Sequence, residues 1–179
     1  MTESVVKGVQ IECVQGDIAA QQDMDAVVNA ANAQLRIGGG VAGAIHRAAG
    51  PELVAECEPL APIKPGQAVI TGAHRLPNRH VIHCLGPVYG SDEPADELLA
   101  ACYRNALRLA DQHNVASIAF PAISTGAFGY PMEPAARIAF ETIFGVLEDL
   151  HAVKHIRFVL LYADDLQLHE RVLAEFVNR

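Results

Sequence analysis

The sequence predicts an α/β fold in which helices cover both faces of one sheet. Short β-rich runs alternate with amphipathic helical segments along the chain, which is the pattern of a layered α/β domain. Several of the strand-like runs are apolar at consecutive positions, so both of their faces need cover. The chain has 179 residues, of which 51% are hydrophobic, and this suits a single domain over residues 1–179.

Six segments have the composition of strands. Residues 81–82, 118–120 and 158–161 are apolar without alternation, so we expect their strands to lie between two helical layers. The predicted strands are 9–14, 25–29, 67–71, 79–84, 117–121 and 156–162.

Three long helices are predicted from apolar residues that recur three and four positions apart. In the first, over 94–113, the apolar stripe consists of Leu98, Leu99, Cys102, Ala106, Leu109 and Ala110. Segments 133–150 and 164–178 repeat this spacing, and Pro134 suits a first helical turn. Residues 43–50 and 51–60 predict one or two shorter helices.

The charge of the chain argues against a nucleic-acid partner. Its formal net charge is -8, and its lysines, Lys7, Lys64 and Lys154, are scattered along the sequence. Nonspecific nucleic-acid binding depends on clustered cations, which this chain lacks. A small phosphate-bearing ligand held by backbone groups remains compatible with the acidic composition.

The cysteines and the apolar runs predict a soluble cytoplasmic protein. Cys13, Cys57, Cys84 and Cys102 form no C-x-x-C pair, and three of them lie in apolar runs, so we expect reduced core thiols. The N-terminus lacks a basic segment followed by an apolar stretch. No run approaches the ~18 apolar residues of a membrane helix, so we expect no membrane partner.

Two glycine-rich loops, around Gly38-Gly39-Gly40 and over 124–129, are the strongest functional signals. Together with Gly43 the first satisfies G-x-G-x-x-G, but residues 31–37 lie between it and the predicted strand, and the acids downstream fall in helix-like sequence. This context excludes a Rossmann dinucleotide site, and the lack of any G-K-[ST] excludes a P-loop.

Both loops precede predicted helices, whose N-termini offer unsatisfied N–H groups and a partial positive charge to an anion. Glycine lets the backbone approach a phosphate closely without a cationic side chain. The alternative is that both loops are only flexible turns. Asn29 is expected to cap a local turn, whereas Asn32 can present its amide to a sugar hydroxyl. Asp17 is either a helix cap or an acceptor for an exocyclic amine.

Five segments, taken in order and at their spacing, resemble the macro domain family over nearly the whole chain. They are Gly16-Asp-Ile18, Val28-Asn-Ala-Ala-Asn32, the stretch from Gly38 to Gly50, Val81-Ile-His-Cys-Leu-Gly-Pro87 and the stretch from Ala119 to Pro131. The sequence is most similar to MacroD-type proteins, which remove ADP-ribose from modified proteins or deacetylate O-acetyl-ADP-ribose. The resemblance implies a three-layer α/β/α sandwich with a mixed central sheet.

The resemblance also implies the ligand, ADP-ribose, and the residues that bind it. Asp17 and Ile18 would contact the adenine and Tyr162 would stack on it. The glycine loops would hold the diphosphate and the distal ribose, with Phe128 against that ribose and Asn32 as its hydrogen-bonding and catalytic residue. The expected ligand-binding residues are Asp17, Ile18, Asn32, Gly38, Gly39, Gly40, Val41, Ser124, Thr125, Gly126, Ala127, Phe128 and Tyr162. The expected partners are ADP-ribose, ADP-ribosylated proteins and O-acetyl-ADP-ribose, without a cofactor.

One departure from the family pattern bears on catalysis. MacroD-type hydrolases carry an Asp after Gly-Gly-Gly-Val, where this sequence has Ala42, and loss of a general base costs ~10²- to 10⁴-fold in rate. Viral and archaeal relatives with Ala there use a His just before the glycines, where this sequence has Ile37. His46, one helical turn after Ala42, is expected to be a packed or partly exposed helix residue. The sequence therefore leaves two functions open: a hydrolase of ADP-ribosyl esters and a non-catalytic reader of ADP-ribose.

The histidines near the sheet do not predict a metal site. His74, His80 and His83 lack supporting ligands, and strand alternation sends His80 and His83 to opposite faces. His83, in an apolar strand, is expected to be a hydrogen-bonded core histidine.

Overall fold

The computed structural model describes residues 2–179, which form one mixed sheet of seven strands. The strands are β1 (Thr2–Val6), β2 (Val9–Gln15), β3 (Ala26–Ala30), β4 (Ala68–Gly72), β5 (His80–Cys84), β6 (Ser117–Phe120) and β7 (His155–Leu160). Their order in the sheet is β1-β2-β7-β6-β3-β5-β4. The five central strands pair in parallel, in the order β2, β7, β6, β3 and β5. The two edge strands, β1 and β4, are antiparallel to their neighbours.

Five α-helices cover the two faces of this sheet. They are α1 (Gly40–Ala49), α2 (Pro51–Cys57), α3 (Ala95–Gln112), α4 (Met132–Val146) and α5 (Ala163–Val177). One face packs on α1 and α2 in a core that includes Val27 and Ile45. The other packs on α3, α4 and α5 in a larger core that includes Val28 and Phe140. Consecutive residues of one strand, such as Val27 and Val28, therefore pack in opposite cores. This explains the unbroken apolar runs and confirms the three-layer α/β/α sandwich.

The predicted strands and long helices are confirmed, with end points that shift by a few residues. β7 ends at Leu160 rather than at residue 162, because the chain turns there into α5. The helix expected over 133–150 ends at Val146 and continues as a 3-10 helix over Leu147–Asp149. α1 begins at Gly40, three positions before the expected start, because Gly39 already occupies the N-cap.

The first strand, β1, was not expected from the sequence. Its residues do not alternate between apolar and polar in a way that marks a strand, and the side chain of Val5 is 71% exposed. Its backbone pairs with that of β2, from Val6 opposite Val9 to Glu3 opposite Glu12, and this pairing holds β1 at the edge of the sheet. Such an edge strand is defined by its neighbour rather than by its own burial.

All four cysteines are buried free thiols, as expected. Burial raises the pKa of Cys13 to about 12 and that of Cys57 to about 11, so neither thiol is reactive at neutral pH. Within residues 2–179, no helix combines the length and apolar composition needed to cross a bilayer.

Candidate functional site

The carboxyl ends of the five parallel strands lie along one edge of the sheet. Open α/β sheets bind ligands at this edge, in the crevice outside the strand ends. The segments that leave it are Gly16–Ile18 after β2, residues 31–40 after β3, Leu85–Pro87 after β5, residues 121–129 after β6 and Leu161–Tyr162 after β7. Both glycine-rich loops therefore meet at the site, although 86 positions separate their first residues, 38 and 124, along the chain.

Two adjoining cavities follow this edge. The adenine-side cavity, named for the role expected of Asp17 and Tyr162 in its wall, has a volume of about 520 Å³. The ribose-side cavity has a volume of about 300 Å³ and is lined by Asn32, Ser124 and Phe128, among others. The two share four wall residues, which are Gly40, Val41, Ala122 and Gly126. A larger surface depression of about 800 Å³ lies between α3 and α4, away from every strand end, so we do not assign the site there.

The first glycine loop ends in the N-terminus of α1. Gly39 is the N-cap, and within the described chain no side chain accepts a hydrogen bond from this terminus. The first amide bonded within the helix is that of Gly43, which donates to the Gly39 carbonyl at 3.2 Å. The N–H groups ahead of it, in Gly40, Val41 and Ala42, are therefore available to an anion at the wall shared by both cavities.

Gly43 explains why the sequence mimics a dinucleotide fingerprint. A Cβ at this position would lie 2.5 Å from the Gly38 carbonyl oxygen and 2.8 Å from Nη1 of Arg47. The loop thus folds back onto the first turn of α1, and only glycine leaves room for it. Gly38 makes this contact rather than lining either cavity.

The second loop is closed by its own hydrogen bonds. Thr125 Oγ1 donates to the Ala122 carbonyl at 2.7 Å, and the Tyr130 amide donates to the Ser124 carbonyl at 2.9 Å. Ser124 has a φ of +68°, a left-handed conformation that costs a non-glycine residue about 1–2 kcal/mol. The N–H groups of residues 126–128 have no acceptor among the residues that the structure describes, so this loop also presents free amides.

Gly86, which follows β5, packs directly against Ile123 and Ser124 at the start of the second loop. A Cβ there would overlap Ser124 Oγ and lie 2.7 Å from Ile123 Cγ2. Gly86 also lines the ribose-side cavity, so it is a site residue that was not among the expected ligand-binding residues, although it lies in the motif Val81–Pro87.

Asn32 shapes the first loop as well as lining the ribose-side cavity. Its Nδ2 donates to the Arg36 carbonyl at 2.7 Å, and its Oδ1 accepts from the Arg36 amide at 3.0 Å. These two bonds leave one N–H and one lone pair of the side-chain amide for a ligand hydroxyl.

Asp17 and Ile18 form a rigid turn at the adenine-side cavity. Asp17 Oδ1 caps the 3-10 helix Ile18–Ala20 by accepting from the Ala19 amide at 2.8 Å, which leaves Oδ2 for a second donor. Gln21 Nε2 donates to the Asp17 carbonyl at 2.8 Å, and Arg157 Nη1 donates to Gln21 Oε1 at 2.9 Å. The two interpretations of Asp17, as cap and as acceptor, are therefore compatible.

Tyr162 lies two residues beyond β7 and is the N-cap of α5. The prediction that it ends the last strand is therefore wrong. Its side chain is 64% exposed and lines the adenine-side cavity. An exposed ring beside a cleft is free to stack on a planar ligand.

The ribose-side cavity has no ionisable side chain among the described residues that form its wall. Ala42 lines it, as does Asn32, but Ile37, at 56% exposure, does not. His46, one turn after Ala42, is only 3% exposed and points into the core instead. Burial lowers its pKa, so His46 is uncharged at neutral pH.

Asn29 and His83 form a buried pair behind this cavity. Asn29 lies within β3 rather than capping a turn, and its Nδ2 donates to His83 Nδ1 at 3.0 Å. His83 Nε2 therefore carries the proton and donates to Thr71 Oγ1 at 2.9 Å. Burial, helped by nearby His46, lowers the pKa of His83 to about 3. His83 is the hydrogen-bonded core histidine that the sequence predicts.

The other two histidines considered for a metal site, His74 and His80, have separate partners. His74 Nε2 lies 2.7 Å from Glu56 Oε1, and His80 Nδ1 lies 3.2 Å from the Thr71 carbonyl. Across residues 2–179, no three His, Cys, Asp or Glu side chains are grouped to hold a metal ion.

All the residues expected at the site line one cavity or the other, apart from Gly38. The sequence did not single out Arg47, Met132, Val159 and Asp165, which line the adenine-side cavity. Of these, Arg47 had a usable signal, because it lies one helical turn after Gly43 and shares its side of α1.

Comparison with known proteins gives a consistent result. The family model described as Macro domain matches residues 28–139. A macro domain-containing protein of Chlorobaculum tepidum is 47% identical over 93% of this chain and 96% of its own length. An O-acetyl-ADP-ribose deacetylase of Klebsiella pneumoniae is 46% identical over 94% of this chain and 98% of its own length. The solved Oceanobacillus iheyensis macrodomain with ADP superposes with a TM-score of 0.94 at 37% identity, covering 99% of this chain and 96% of that one.

Proposed function

The chain belongs to the macro domain family, and on this premise we propose that it binds ADP-ribose across the two adjoining cavities. The adenosine occupies the adenine-side cavity, with Asp17 and Ile18 at the adenine edge and Tyr162 on its face. The distal ribose occupies the ribose-side cavity against Phe128 and Asn32. We further propose that residues 1–179 act as one cytoplasmic macro domain.

The observation that carries this proposal is the wall shared by the two cavities. Gly40, Val41 and Gly126 stand between them, where the free amides of both loops converge. A diphosphate is the part of ADP-ribose that joins its two nucleoside ends, and backbone amides at a helix N-terminus bind such a group without lysine. The solved macrodomain with ADP supports the same ligand class.

We propose that the bound molecule is an ADP-ribosyl ester and that the protein hydrolyses it slowly. Water adds to the ester, the ester bond breaks, and the products are a carboxylic acid and ADP-ribose or, from O-acetyl-ADP-ribose, acetic acid and ADP-ribose. Asn32 positions the distal ribose and the water, and a phosphate oxygen of the ligand supplies the second acceptor for that water. The relatives named as deacetylases support this reaction class.

The rate is expected to be low because the cavity offers no general base. With Ala42 at the wall, proton transfer from the water relies on the ligand itself, and losing a positioned base costs ~10²- to 10⁴-fold.

The alternative function is a reader that binds ADP-ribose or ADP-ribosylated proteins without cleaving them. The same observation favours it, since the described wall of the ribose-side cavity contains no titratable side chain.

Calorimetric titration followed by single-turnover hydrolysis separates these functions. ADP-ribose should bind, and a mono-ADP-ribosylated acidic peptide or O-acetyl-ADP-ribose should be cleaved slowly with protein in large excess. Absence of binding heat would overturn both functions. Binding without any release above the rate in buffer would leave only the reader.

A further inference from the structure

Arg47 is an unpaired cation in the wall of the adenine-side cavity. It lies on α1 and is exposed to solvent. Within residues 2–179, no carboxylate or carbonyl is hydrogen-bonded to it. By contrast, Arg75 pairs with Glu52, and Arg157 pairs with both Glu12 and Asp23. The guanidinium is thus free to bind an incoming anion without breaking an existing ion pair.

The charge of this cavity gives Arg47 more weight than a surface arginine usually has. Two acidic residues, Asp17 and Asp165, line the same cavity, and Arg47 is the cationic residue among its described wall residues. In a chain of formal net charge -8, a ligand phosphate entering here would otherwise meet two carboxylates. The N-terminus of α1 contributes about half a positive charge, which alone does not balance them.

The position of Arg47 identifies which phosphate it reaches. Its Nη1 lies 2.8 Å from the point that a Cβ on Gly43 would occupy, so the side chain runs back along α1 toward the first glycine loop. Arg47 lines the adenine-side cavity and not the ribose-side cavity. The absence of a side chain at Gly43 keeps this path along the helix open.

From this geometry we propose that Arg47 binds the phosphate nearest the adenosine. The inference rests on the proposed function and adds to it an electrostatic contact that the glycine loops do not supply. Arg47 is then a specificity residue, because it separates adenosine phosphates from adenosine and from neutral adenosine analogues. It contributes to the binding of AMP, ADP and ADP-ribose, because each of these molecules carries a charged phosphate next to the adenosine.

The test compares the Arg47→Gln variant with the wild type by calorimetry or NMR titration of adenosine, AMP and ADP-ribose at low salt. AMP and ADP-ribose should each lose about tenfold in affinity, as expected for a hydrogen-bonded charge contact, and adenosine should lose nothing. Arg47→Lys should recover part of the loss. The salt dependence of AMP affinity should also become shallower in Arg47→Gln.

Arg104→Gln is the matched control, because Arg104 is also an exposed helical arginine but lines the depression between α3 and α4. It should bind all three molecules as the wild type does. Equal AMP affinity in Arg47→Gln and the wild type would overturn the assignment, as would a loss confined to ADP-ribose or an equal loss for adenosine. A wild type that binds none of the three would instead overturn the proposed function.

Discussion

The two cavities of the site share four wall residues but differ in their chemistry. The adenine-side cavity carries charged groups, namely Asp17, Arg47 and Asp165, together with the exposed phenol of Tyr162. The described wall of the ribose-side cavity carries only uncharged groups, of which Asn32 and Ser124 are the polar side chains. The shared wall of glycine and small residues carries the free amides of both loops.

The difference in charge between the two cavities suggests different tasks, namely ligand recognition at one and positioning of a reacting ester at the other. Charged groups of fixed sign can discriminate one nucleotide from another, and they all lie at the adenosine end. The ribose end, where an ester would be attached, can position a substrate through amides but cannot exchange a proton at neutral pH. Under the proposed function, the site is therefore built first for binding, and the proposed hydrolysis would depend on the ligand's own groups.

The largest expected effect comes from placing a carboxylate in the uncharged cavity. Ala42→Asp adds a group that can accept a proton from water beside Asn32, and we expect single-turnover hydrolysis of an ADP-ribosyl ester to rise by roughly 10²-fold. The comparison between the two cavities would then no longer hold. The measurement is the rate of ADP-ribose release with protein in excess.

Ala44→Asp is the matched control, because Ala44 lies on the same helix but lines the adenine-side cavity. It should weaken ADP-ribose binding by repulsion and leave the hydrolysis rate of the bound ester unraised. If Ala42→Asp keeps its affinity for ADP-ribose and hydrolyses no faster than the wild type, the lack of a base does not limit this site.

The next effect concerns the support of the ribose-side cavity. Gly86→Ala forces Ser124 to move, and overpacking of this kind costs about 1–3 kcal/mol in the free energy of unfolding. ADP-ribose affinity should fall with it, because the amides of the second loop shift. Denaturant unfolding and calorimetry give the two values.

Gly145→Ala serves as its control, since a Cβ there meets nothing within 4 Å in α4. That variant should be neutral or slightly stabilising, because alanine favours a helix over glycine. Unchanged stability and affinity in Gly86→Ala would show that the second loop tolerates displacement.

A smaller effect separates the two asparagines Asn29 and Asn32, of which only Asn32 lines this cavity. Asn32→Ala should reduce ADP-ribose affinity by about tenfold, because its side chain lines the cavity, and should cost about 1 kcal/mol of stability, because the two bonds to Arg36 that it loses are exposed to solvent. Asn29→Ala should instead lower the free energy of unfolding by about 1–3 kcal/mol, since it leaves buried His83 Nδ1 unpaired. Denaturant midpoints and calorimetric affinities of both variants check this. Equal affinity losses in two folded variants would contradict it.

The smallest effect is a pH dependence that originates behind the ribose-side cavity. The pKa of His83 is about 3 in the folded protein, well below its ordinary value of 6.5, so the unfolded chain takes up the proton first as pH falls. The free energy of unfolding should therefore decrease below pH 7, with His83 contributing about 0.7 kcal/mol between pH 7 and pH 6. Burial also lowers the pKa of His46 and His169, which adds in the same direction.

Denaturant unfolding at the two pH values measures this change, and His83→Gln should show a shallower dependence than the wild type. A variant with the same slope as the wild type would mean that other groups carry the pH dependence.

The sequence alone predicted most of the fold. Periodicity located the long helices, unbroken apolar runs located the central strands, and glycine spacing located both loops, because each of these signals is local. β1 was missed for the same reason, since its place depends on pairing with β2 and not on its own burial. Nearly all of the expected site residues line a cavity, since the loops that carry them end on the same edge of the sheet.

The tertiary structure decided how charge is distributed over that site. Asn29 and Asn32 are equivalent amides in the sequence, yet one is bonded to His83 in the core and the other lines a cavity. Arg47 looks like an ordinary helical arginine until α1 places it in the wall of the same cavity as Asp17 and Asp165. His46 looks available from its spacing to Ala42, yet it is buried. Local patterns determine which elements form, but whether a side chain meets solvent, a partner or a cavity depends on residues far away in the chain.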